Sequence, residues 1–329
     1  MMRLALISLA ALLPLTAPAA QADTAEAVTE LIVPAYAAFA TATAALDTAT
    51  QQSCDPAVLA PAYHAAFDAW MAVAPLRLGP VEDGGRALAI QFWPDPKGLG
   101  AKAQKALLQA DPAALTPDAF AQQSVAARGL MGLERLLWPE KPLPADPCPL
   151  LRATTADLAR VAAAVSADWQ GDSGYAALLQ TAGEPGNSTF LSPTEARQAL
   201  FTQIYTGLEA LRDQRLGRPL GTFDKPRPDL AEARASGRSL RNVVLDLQAL
   251  RALTVALAPD TPKTQAAFDH ALTLAETLDD PVFAGVATPG GRLKVEILQQ
   301  AVTAIRDTAG VELAAVLGVD LGFNAADGD

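Results

Sequence analysis

The chain of 329 residues carries 36 acidic and 25 basic side chains, a net charge of −11, and half of its residues are hydrophobic. This acidic balance argues against a nucleic-acid or anionic-membrane surface, because both are bound by clustered basic side chains. The length exceeds one ordinary core and favours two domains of roughly 150 residues. We therefore expect a globular protein with no nucleic-acid partner.

The first 22 residues have the pattern of a cleaved export signal. Arg3 supplies the positive start, an apolar run extends from Leu4 to Leu15, and Ala20-Gln21-Ala22 forms a small-x-small cleavage site. The apolar run is too short for a retained membrane span, so no integral membrane anchor is predicted. We expect a mature protein that begins near Asp23 and resides in the periplasm.

Apolar residues recur at intervals of three and four along most of the chain, which is typical of amphipathic helices. Helices are predicted at about 24–50, from 56 onward, 99–109, 117–138, 150–169, 192–215, 239–257, 261–278 and 293–317. A polar segment, Gly183–Ser192, separates four of the longer helices from four others. The sequence predicts an all-α protein of two similar four-helix-type bundles packed together, residues 23–185 and 186–329.

A short repeat suggests that the two halves arose by internal duplication. Ala65-Ala66-Phe67-Asp68 recurs as Ala266-Ala267-Phe268-Asp269, and each copy follows a loop that contains Asp and Pro. Four identities in an alanine-rich chain are a weak signal, so the duplication is a hypothesis.

Cys54 and Cys148 are the only cysteines, and each stands beside prolines in a predicted loop. In an oxidising compartment the default for such a pair is a structural disulfide, which would stabilise the fold by about 4 kcal/mol. A reactive thiol pair is the alternative, but the C-x-x-C spacing typical of one is absent.

The helix predicted around Gly129–Trp138 carries a charge on its apolar face. Set at about 100° per residue, the leucines of this stretch form a continuous arc with Glu134 in its middle. A buried carboxylate needs a partner or a proton, because burying it unpaired costs several kcal/mol. The candidate partners are Arg77, Arg238 and Arg241. An ion pair with one of these arginines would explain a carboxylate on the apolar face without any ligand.

The segment Pro75–Gly100 is predicted to be irregular, because five glycines and four prolines forbid a long helix. Its Ile90, Phe92 and Trp93 indicate that it is packed rather than disordered. Glu82, Asp83 and Asp95 here, and Asp327 in the tail, offer hard oxygen ligands for a metal. Solvated loop carboxylates are the simpler interpretation.

The usual enzyme motifs are missing. The chain has no phosphate-binding glycine loop, no G-x-S-x-G elbow and no H-E-x-x-H pair. His64 and His270 are the only histidines. His64 and Asp68 are four residues apart on a helix, which more often indicates a solvated face than a metal site.

Five stretches, taken together and in order, resemble the imelysin family of exported bacterial proteins. They are LRLGPVEDGGRALAIQFWPDPKG, SVAARGLMGLERLLW, LEALRDQRLG, SGRSLRN and LGVDLGFNAADGD. The resemblance implies an all-helical fold of two similar bundles with a site near their interface. Members of this family include peptidases and proteins linked to iron uptake.

The family's G-x-H-x-x-E motif, proposed to bind metal, is incomplete in this chain. Gly129 and Glu134 match it, but Met131 stands at the histidine position. A thioether is a soft, weak ligand that would not hold a ferric or catalytic zinc ion. The departure disfavours a metallopeptidase and favours a binding role.

We therefore expect a periplasmic binding or accessory protein for the uptake of iron or another divalent or trivalent metal, acting with envelope metal-uptake components. Its ligand site is predicted in a cleft between the two halves near Glu134, the one residue assigned to metal. The predicted ligand-binding residues are Arg77, Glu82, Asp83, Trp93, Asp95, Glu134, Arg238, Arg241, Asn242 and Asp327. A structural envelope protein with Glu134 in a buried ion pair is the alternative, and a metallopeptidase is the third hypothesis.

Overall fold

The computed structural model describes residues 24–320. These residues form α-helices joined by turns and loops, with no strand among them. The predicted export signal and Asp327 lie outside the described residues.

The helices follow in chain order with short 3-10 turns in several connections. They are α1 (Thr24–Gln52), α2 (Pro56–Met71), α3 (Arg86–Ile90), α4 (Leu99–Leu107), α5 (Pro117–Ala121), α6 (Gly129–Leu137), α7 (Cys148–Trp169), α8 (Tyr175–Gln180), α9 (Pro193–Ala210), α10 (Ser239–Leu257), α11 (Pro262–Glu276) and α12 (Pro289–Leu317). The 3-10 turns are Gly79–Val81, Asp83–Gly85, Pro112–Leu115, Val125–Ala127, Pro228–Leu230 and Ala284–Ala287.

Side-chain caps set where several of these helices begin. Ser192 caps the predicted start of α9 by accepting a hydrogen bond from the Glu195 backbone N–H, and the Glu195 carboxylate accepts one from the N–H of Leu191, the residue before the cap. Asp55 caps α2 by accepting from the Ala57 N–H. These contacts satisfy donors that the first helical turn leaves free.

Two helices widen into π-helical turns where a proline follows. In α1 the turn is Ala27–Ile32, just before Pro34; after α9 it is Leu211–Leu216, before Pro219, and the chain continues as Gly217–Leu220. Proline has no N–H to donate and its ring clashes with the preceding turn, which favours a wider turn there.

The helices form two groups, as predicted. In the first half α1 packs against α2 and α7, and α7 also contacts α6. In the second half α12 packs against α9 and α11, and α10 packs against α9 and α11. This arrangement confirms the all-α class and fits a duplication; the boundary near residue 186 stays a prediction.

α10 joins the two halves. It contacts α11 of its own half and also α2 and the Ala27–Ile32 turn of the first half. Its Val243, Leu247 and Leu250 are fully buried. The hydrophobic core therefore continues from one half into the other.

Of the described residues, one helix, α1, is long and apolar enough to cross a membrane by length and composition alone. Here it packs lengthwise against α2 and α7, and its Tyr36, Phe39 and Leu46 are buried in that contact. A core helix of a globular protein passes the same test.

The predicted disulfide is confirmed. Cys54, just before α2, is joined to Cys148 at the start of α7, with a Cα–Cα distance of 5.5 Å across 94 positions of sequence. The bond therefore ties together two elements of the first half.

Two details of the helix prediction were wrong. The helix expected over 117–138 is divided, because Gly129 adopts a left-handed conformation (φ +63°) and a Cβ there would collide with the carbonyl oxygens of Ala89 and Ile90. The apolar spacing of the predicted 293–317 helix also places Ile297 on its inward face, but in the structure this residue is 40% exposed.

Candidate functional site

Glu134 lies at the junction of the two halves and is 4% exposed. α6 presents it to a turn of the second half, where its Oε1 accepts hydrogen bonds from the Ser236 backbone N–H (2.9 Å) and Oγ (2.6 Å). No arginine lies within ion-pair distance of this carboxylate among the described residues. The predicted Glu134–arginine pair was therefore wrong, since a serine supplies the donors and the arginines have another partner.

The segment 231–238, here called the junction turn, holds Ser236 in place. Ala233 has a left-handed backbone (φ +47°), and its carbonyl accepts from the Arg238 N–H and the Ser236 Oγ. Ser239 Oγ donates to the carbonyl of Glu232 at 2.6 Å, which fixes the turn to the start of α10. The turn thereby directs the backbone N–H and the hydroxyl of Ser236 toward Glu134.

Arg238 and Arg241 converge on Asp68 of α2. Arg238 is 1% exposed and its Nη2 lies 2.5 Å from Asp68 Oδ1, while Arg241 donates through Nε at 2.8 Å and contacts the second oxygen through Nη2. Partial burial raises the pKa of Asp68, but the arginine hydrogen bonds outweigh it and the pKa lies below its ordinary value. The expectation of a merely solvated His64–Asp68 face was wrong, because Arg238 reaches both residues.

His64 is held by the same arginine. Arg238 Nη1 lies 3.1 Å from His64 Nδ1 and also donates to the His64 carbonyl. Because a guanidinium can only donate, Nδ1 accepts and the ring proton sits on Nε2. Burial and the charge of Arg238 lower the pKa of His64, so the ring is neutral near pH 7.

Three aromatic rings, those of Tyr63, His64 and Trp138, pack against one another, and the Tyr63 hydroxyl lies close enough to Glu134 to be affected by its charge. The Trp138 ring centroid lies 5.1 Å from that of Tyr63 and 5.7 Å from that of His64. Tyr63 is fully buried, and its hydroxyl donates to the Leu130 carbonyl at 3.4 Å. Burial, with the nearby Glu134 charge, raises the pKa of Tyr63 well above its ordinary value.

Burial also shifts the titration of Glu134. It raises the pKa of this carboxyl above its ordinary value, against the opposing effect of the two hydrogen bonds from Ser236. Only Oε1 receives hydrogen bonds among the described residues. The second oxygen is thus available to a ligand or a proton.

A second polar cluster, the Glu232 network, lies behind the junction turn. The Glu232 carboxylate accepts from Gln91 Nε2 (2.7 Å), Arg215 Nε (3.0 Å) and Asn242 Nδ2 (3.0 Å). Gln91 in turn accepts from Trp70 Nε1 at 2.6 Å. These contacts fix the orientation of the Gln91 amide and direct the Asn242 side-chain nitrogen toward Glu232. The network links both halves.

Asp246 also belongs to this network, and its Oδ2 is buried without a hydrogen bond from the described residues. Arg215 Nη1 lies 3.2 Å from its Oδ2, an ion-pair distance, but without the alignment of a hydrogen bond. The Oδ1 of Asn242, one helical turn away, is likewise buried without a donor. Burial raises the pKa of Asp246 to about 6, against the lowering effect of Arg215.

The remaining predicted site residues lie elsewhere. Arg77 pairs with Glu82 (Nε–Oε1, 2.5 Å), and its backbone N–H donates to Gln203. Asp83 lines a separate open pocket of about 370 Å³ with Asp168 and Tyr175. Within residues 24–320, no hydrogen bond or ion pair links these side chains to Glu134.

Two predicted residues of the irregular segment have structural roles. Asp95 accepts from the N–H groups of Leu99 and Gly100 and so caps α4. The Trp93 ring packs under the guanidinium of Arg218 at 6.0 Å. The structure thus brings together Glu134, Arg238, Arg241 and Asn242 at the junction, but not the whole predicted set.

Sequence reasoning missed Ser236, Asp68, Glu232, Arg215 and Gln91. Ser236 stands inside SGRSLRN, and Asp68 inside the repeated AAFD, so both were in stretches already singled out. Their partners lie 102 and 170 positions away, a pairing that no local pattern reveals.

The residues around Glu134 do not fit a directly bound hard metal ion. Met131, 7% exposed, is one helical turn away where the motif has histidine. No group of three or more His, Cys, Asp or Glu side chains within residues 24–320 is placed to hold a metal. A single carboxylate with one oxygen engaged by Ser236 is a poor cage for such an ion.

Fold and site together define an all-helical protein of two packed bundles, with a buried carboxylate at their junction. The imelysin family profile matches residues 32–309, so the chain belongs to the imelysin family. A search of curated proteins finds no match.

Two solved structures share the fold. An imelysin-like protein from Psychrobacter arcticum has a TM-score of 0.73 and 20% identity, over 92% of this chain and 99% of that chain. A candidate iron-regulated protein A precursor from Parabacteroides distasonis has a TM-score of 0.69 and 14% identity, over 92% of this chain and 96% of that chain. At these identities the likeness concerns the fold alone.

Proposed function

We propose that this imelysin-family protein is an exported, periplasmic binding component of iron or related metal uptake. Its ligand site lies where Glu134, His64, Trp138 and the Arg238–Asp68–Arg241 cluster meet. The observation that carries the proposal is Glu134, a nearly buried carboxylate whose second oxygen has no hydrogen-bond partner within residues 24–320.

Two further facts support a role in iron handling. The chain belongs to the imelysin family, and a protein of the same fold is described as an iron-regulated precursor. The residues at the site do not form a cage for a bare ion, so iron would arrive as cargo within a larger complex. Glu134 would then contact that complex rather than supply a full coordination shell.

Calorimetric titration of the mature protein tests this proposal. Ferric, ferrous, cupric and zinc ions are added alone and with small chelators, and at least one form should show a single saturable site. Glu134→Gln should weaken it about tenfold or more, since a charged contact is lost. The amide oxygen can still accept from Ser236, so the fold should be retained.

The second half offers a matched control. Glu312 Oε2 accepts from the N–H and the hydroxyl of Thr264, at 2.7 and 2.8 Å, as Glu134 does from Ser236. Glu312→Gln should leave ligand affinity unchanged. No uptake across the whole panel would overturn the proposal.

A structural role for Glu134 is the second candidate, favoured by its tie between α6 and the junction turn. If Glu134→Ala lowers the melting temperature while Glu134→Gln binds every ligand as the parent does, the residue is structural. A metallopeptidase remains the third hypothesis, disfavoured by Met131, and cleavage of denatured casein with added zinc would revive it.

A further inference from the structure

The rim is defined here as the side chains of His64, Arg241 and Trp138, which carry hydrogen-bond donors without a partner among the described residues. His64 must carry its ring proton on Nε2, because Nδ1 faces the Arg238 guanidinium. Arg241 uses Nε and Nη2 for Asp68 and is 57% exposed, which leaves Nη1 free of described partners. Trp138 is half-buried beside His64, with no described hydrogen-bond partner for its indole N–H.

The Arg238–Asp68–Arg241 cluster has a charge opposite in sign to the net charge of the whole protein. Arg238 and Arg241 share one carboxylate, Asp68, so the cluster has a net charge of +1. The whole chain carries −11. A local positive charge on an acidic surface attracts anions and repels free cations.

The Arg238 side chain is buried and held in place, so it is not a mobile surface charge. Its side chain is 1% exposed and lies over the Phe67 ring, with its carbon Cζ 4.6 Å from the ring centroid. It holds His64 and Asp68 in place, and Asp68 in turn orients Arg241. The donors on the rim are therefore pre-positioned before any ligand arrives, which reduces the entropy cost of binding.

We propose that this rim binds a carboxylate group, and that the ligand of the proposed site is a carboxylate anion or a metal chelate that carries free carboxylates. The inference rests on the proposed function and names its ligand class. Arg241 Nη1–H and His64 Nε2–H supply two donors for the two carboxylate oxygens. Glu134 below the rim then meets the polar remainder of the ligand.

Three probes distinguish the sources of the carboxylate. Citrate alone, iron(III) citrate, and an iron(III) trihydroxamate complex that has no free carboxylate are titrated into the mature protein in a calorimeter. Citrate and its iron complex should bind, and the trihydroxamate should not. Affinity should fall as salt is raised, because the attraction is partly between exposed charges.

Two variants test the residues. Arg241→Gln should weaken binding of iron(III) citrate about tenfold, through the loss of one charge-assisted contact. Arg251→Gln is the control: it lies on the same helix and removes a comparable exposed pair with Asp269 (3.0 Å), remote from the rim. His64→Phe keeps a ring against Trp138 but removes Nε2–H, and should weaken binding similarly.

The outcomes separate this inference from the proposed function. Equal binding of both iron complexes with no binding of citrate would overturn the carboxylate inference and leave the iron role standing. Binding of citrate unaffected by iron would support the carboxylate site and remove the iron role. Unchanged affinity in both Arg241→Gln and His64→Phe would overturn the assignment to this rim.

Discussion

Asp68 and Asp269 end the two copies of the repeated AAFD, yet their surroundings differ. Each follows a buried phenylalanine and each pairs with an arginine of α10, Asp68 with Arg241 and Asp269 with Arg251. Asp68 is 26% exposed and has a second, buried partner, Arg238; Asp269 is 61% exposed and has one.

The difference lies in the residues that surround each aspartate. At the position of His64 the second half has Gln265, whose side chain donates to the Pro259 carbonyl and so ties α11 to the loop that precedes it. His64 instead joins Arg238, Asp68 and Trp138. An exposed pair such as Asp269–Arg251 contributes little to stability, whereas the buried Asp68 cluster fixes the geometry of its neighbours.

The largest difference between the halves should come from the disulfide, which lies only in the first. Replacing Cys54 and Cys148 by alanine should lower the free energy of unfolding by about 4 kcal/mol. Urea unfolding, followed by tryptophan fluorescence, measures it. All four tryptophans lie in the first half, so the signal should report there, and a loss below about 1 kcal/mol would contradict the prediction.

The next effect concerns Asp246, the buried acid of α10 that faces Arg215 and Glu232. Its pKa is about 6 in the folded protein, above its ordinary value of 3.8. Folding thus favours its protonated form, and this stabilisation, complete below about pH 4, is lost as pH rises through 6. Between pH 3 and 7, wild type should lose about 3 kcal/mol relative to Asp246→Asn.

Chemical unfolding of both proteins at a series of pH values measures that difference. The two proteins share every other titrating group. Only the difference between their curves of unfolding free energy against pH therefore reports on Asp246. Parallel curves from pH 3 to 7 would show that Asp246 is ionised throughout.

The smallest effect compares the buried Arg238–Asp68 pair with the exposed Arg251–Asp269 pair. Arg238→Met should lower the free energy of unfolding by about 2 kcal/mol, since a buried ion pair is broken while Asp68 keeps Arg241. Arg251→Met removes an exposed pair and should change it by less than about 0.5 kcal/mol. Equal losses in the two variants would mean that burial does not distinguish the two copies.

The sequence predicted the helices and the disulfide well, because both depend on local signals. The Ser192-Pro193-Thr194-Glu195 start of α9 and the paired cysteines are examples confirmed by the structure. The break at Gly129 was missed because a left-handed glycine inside an apolar helical pattern has no signal of its own. What requires Gly129 there is the close approach of the Ala89 and Ile90 carbonyls, a tertiary contact.

The candidate site was only partly predictable. The apolar arc identified Glu134 as a buried acid, and SGRSLRN identified the segment that meets it. Choosing between Ser236 and an arginine as its partner depends on the path of the junction turn, including the left-handed Ala233. The contacts of Arg77 with Glu82 and Gln203, and the place of Asp83 in a separate pocket, likewise depend on tertiary packing that the glycine-rich segment does not reveal.

α10 sets a limit on how the protein can move when it captures a ligand. Arg241 and Arg251 are ten positions apart, about 15 Å along the helix axis, and they bind acids from different halves. A hinge between the halves would have to break the contacts of Arg238 and Arg241 with Asp68, and also the packing of α10 against α2 and the Ala27–Ile32 turn. Ligand capture at the proposed site should therefore proceed without closure of two lobes, and the association rate should be limited by diffusion and charge steering.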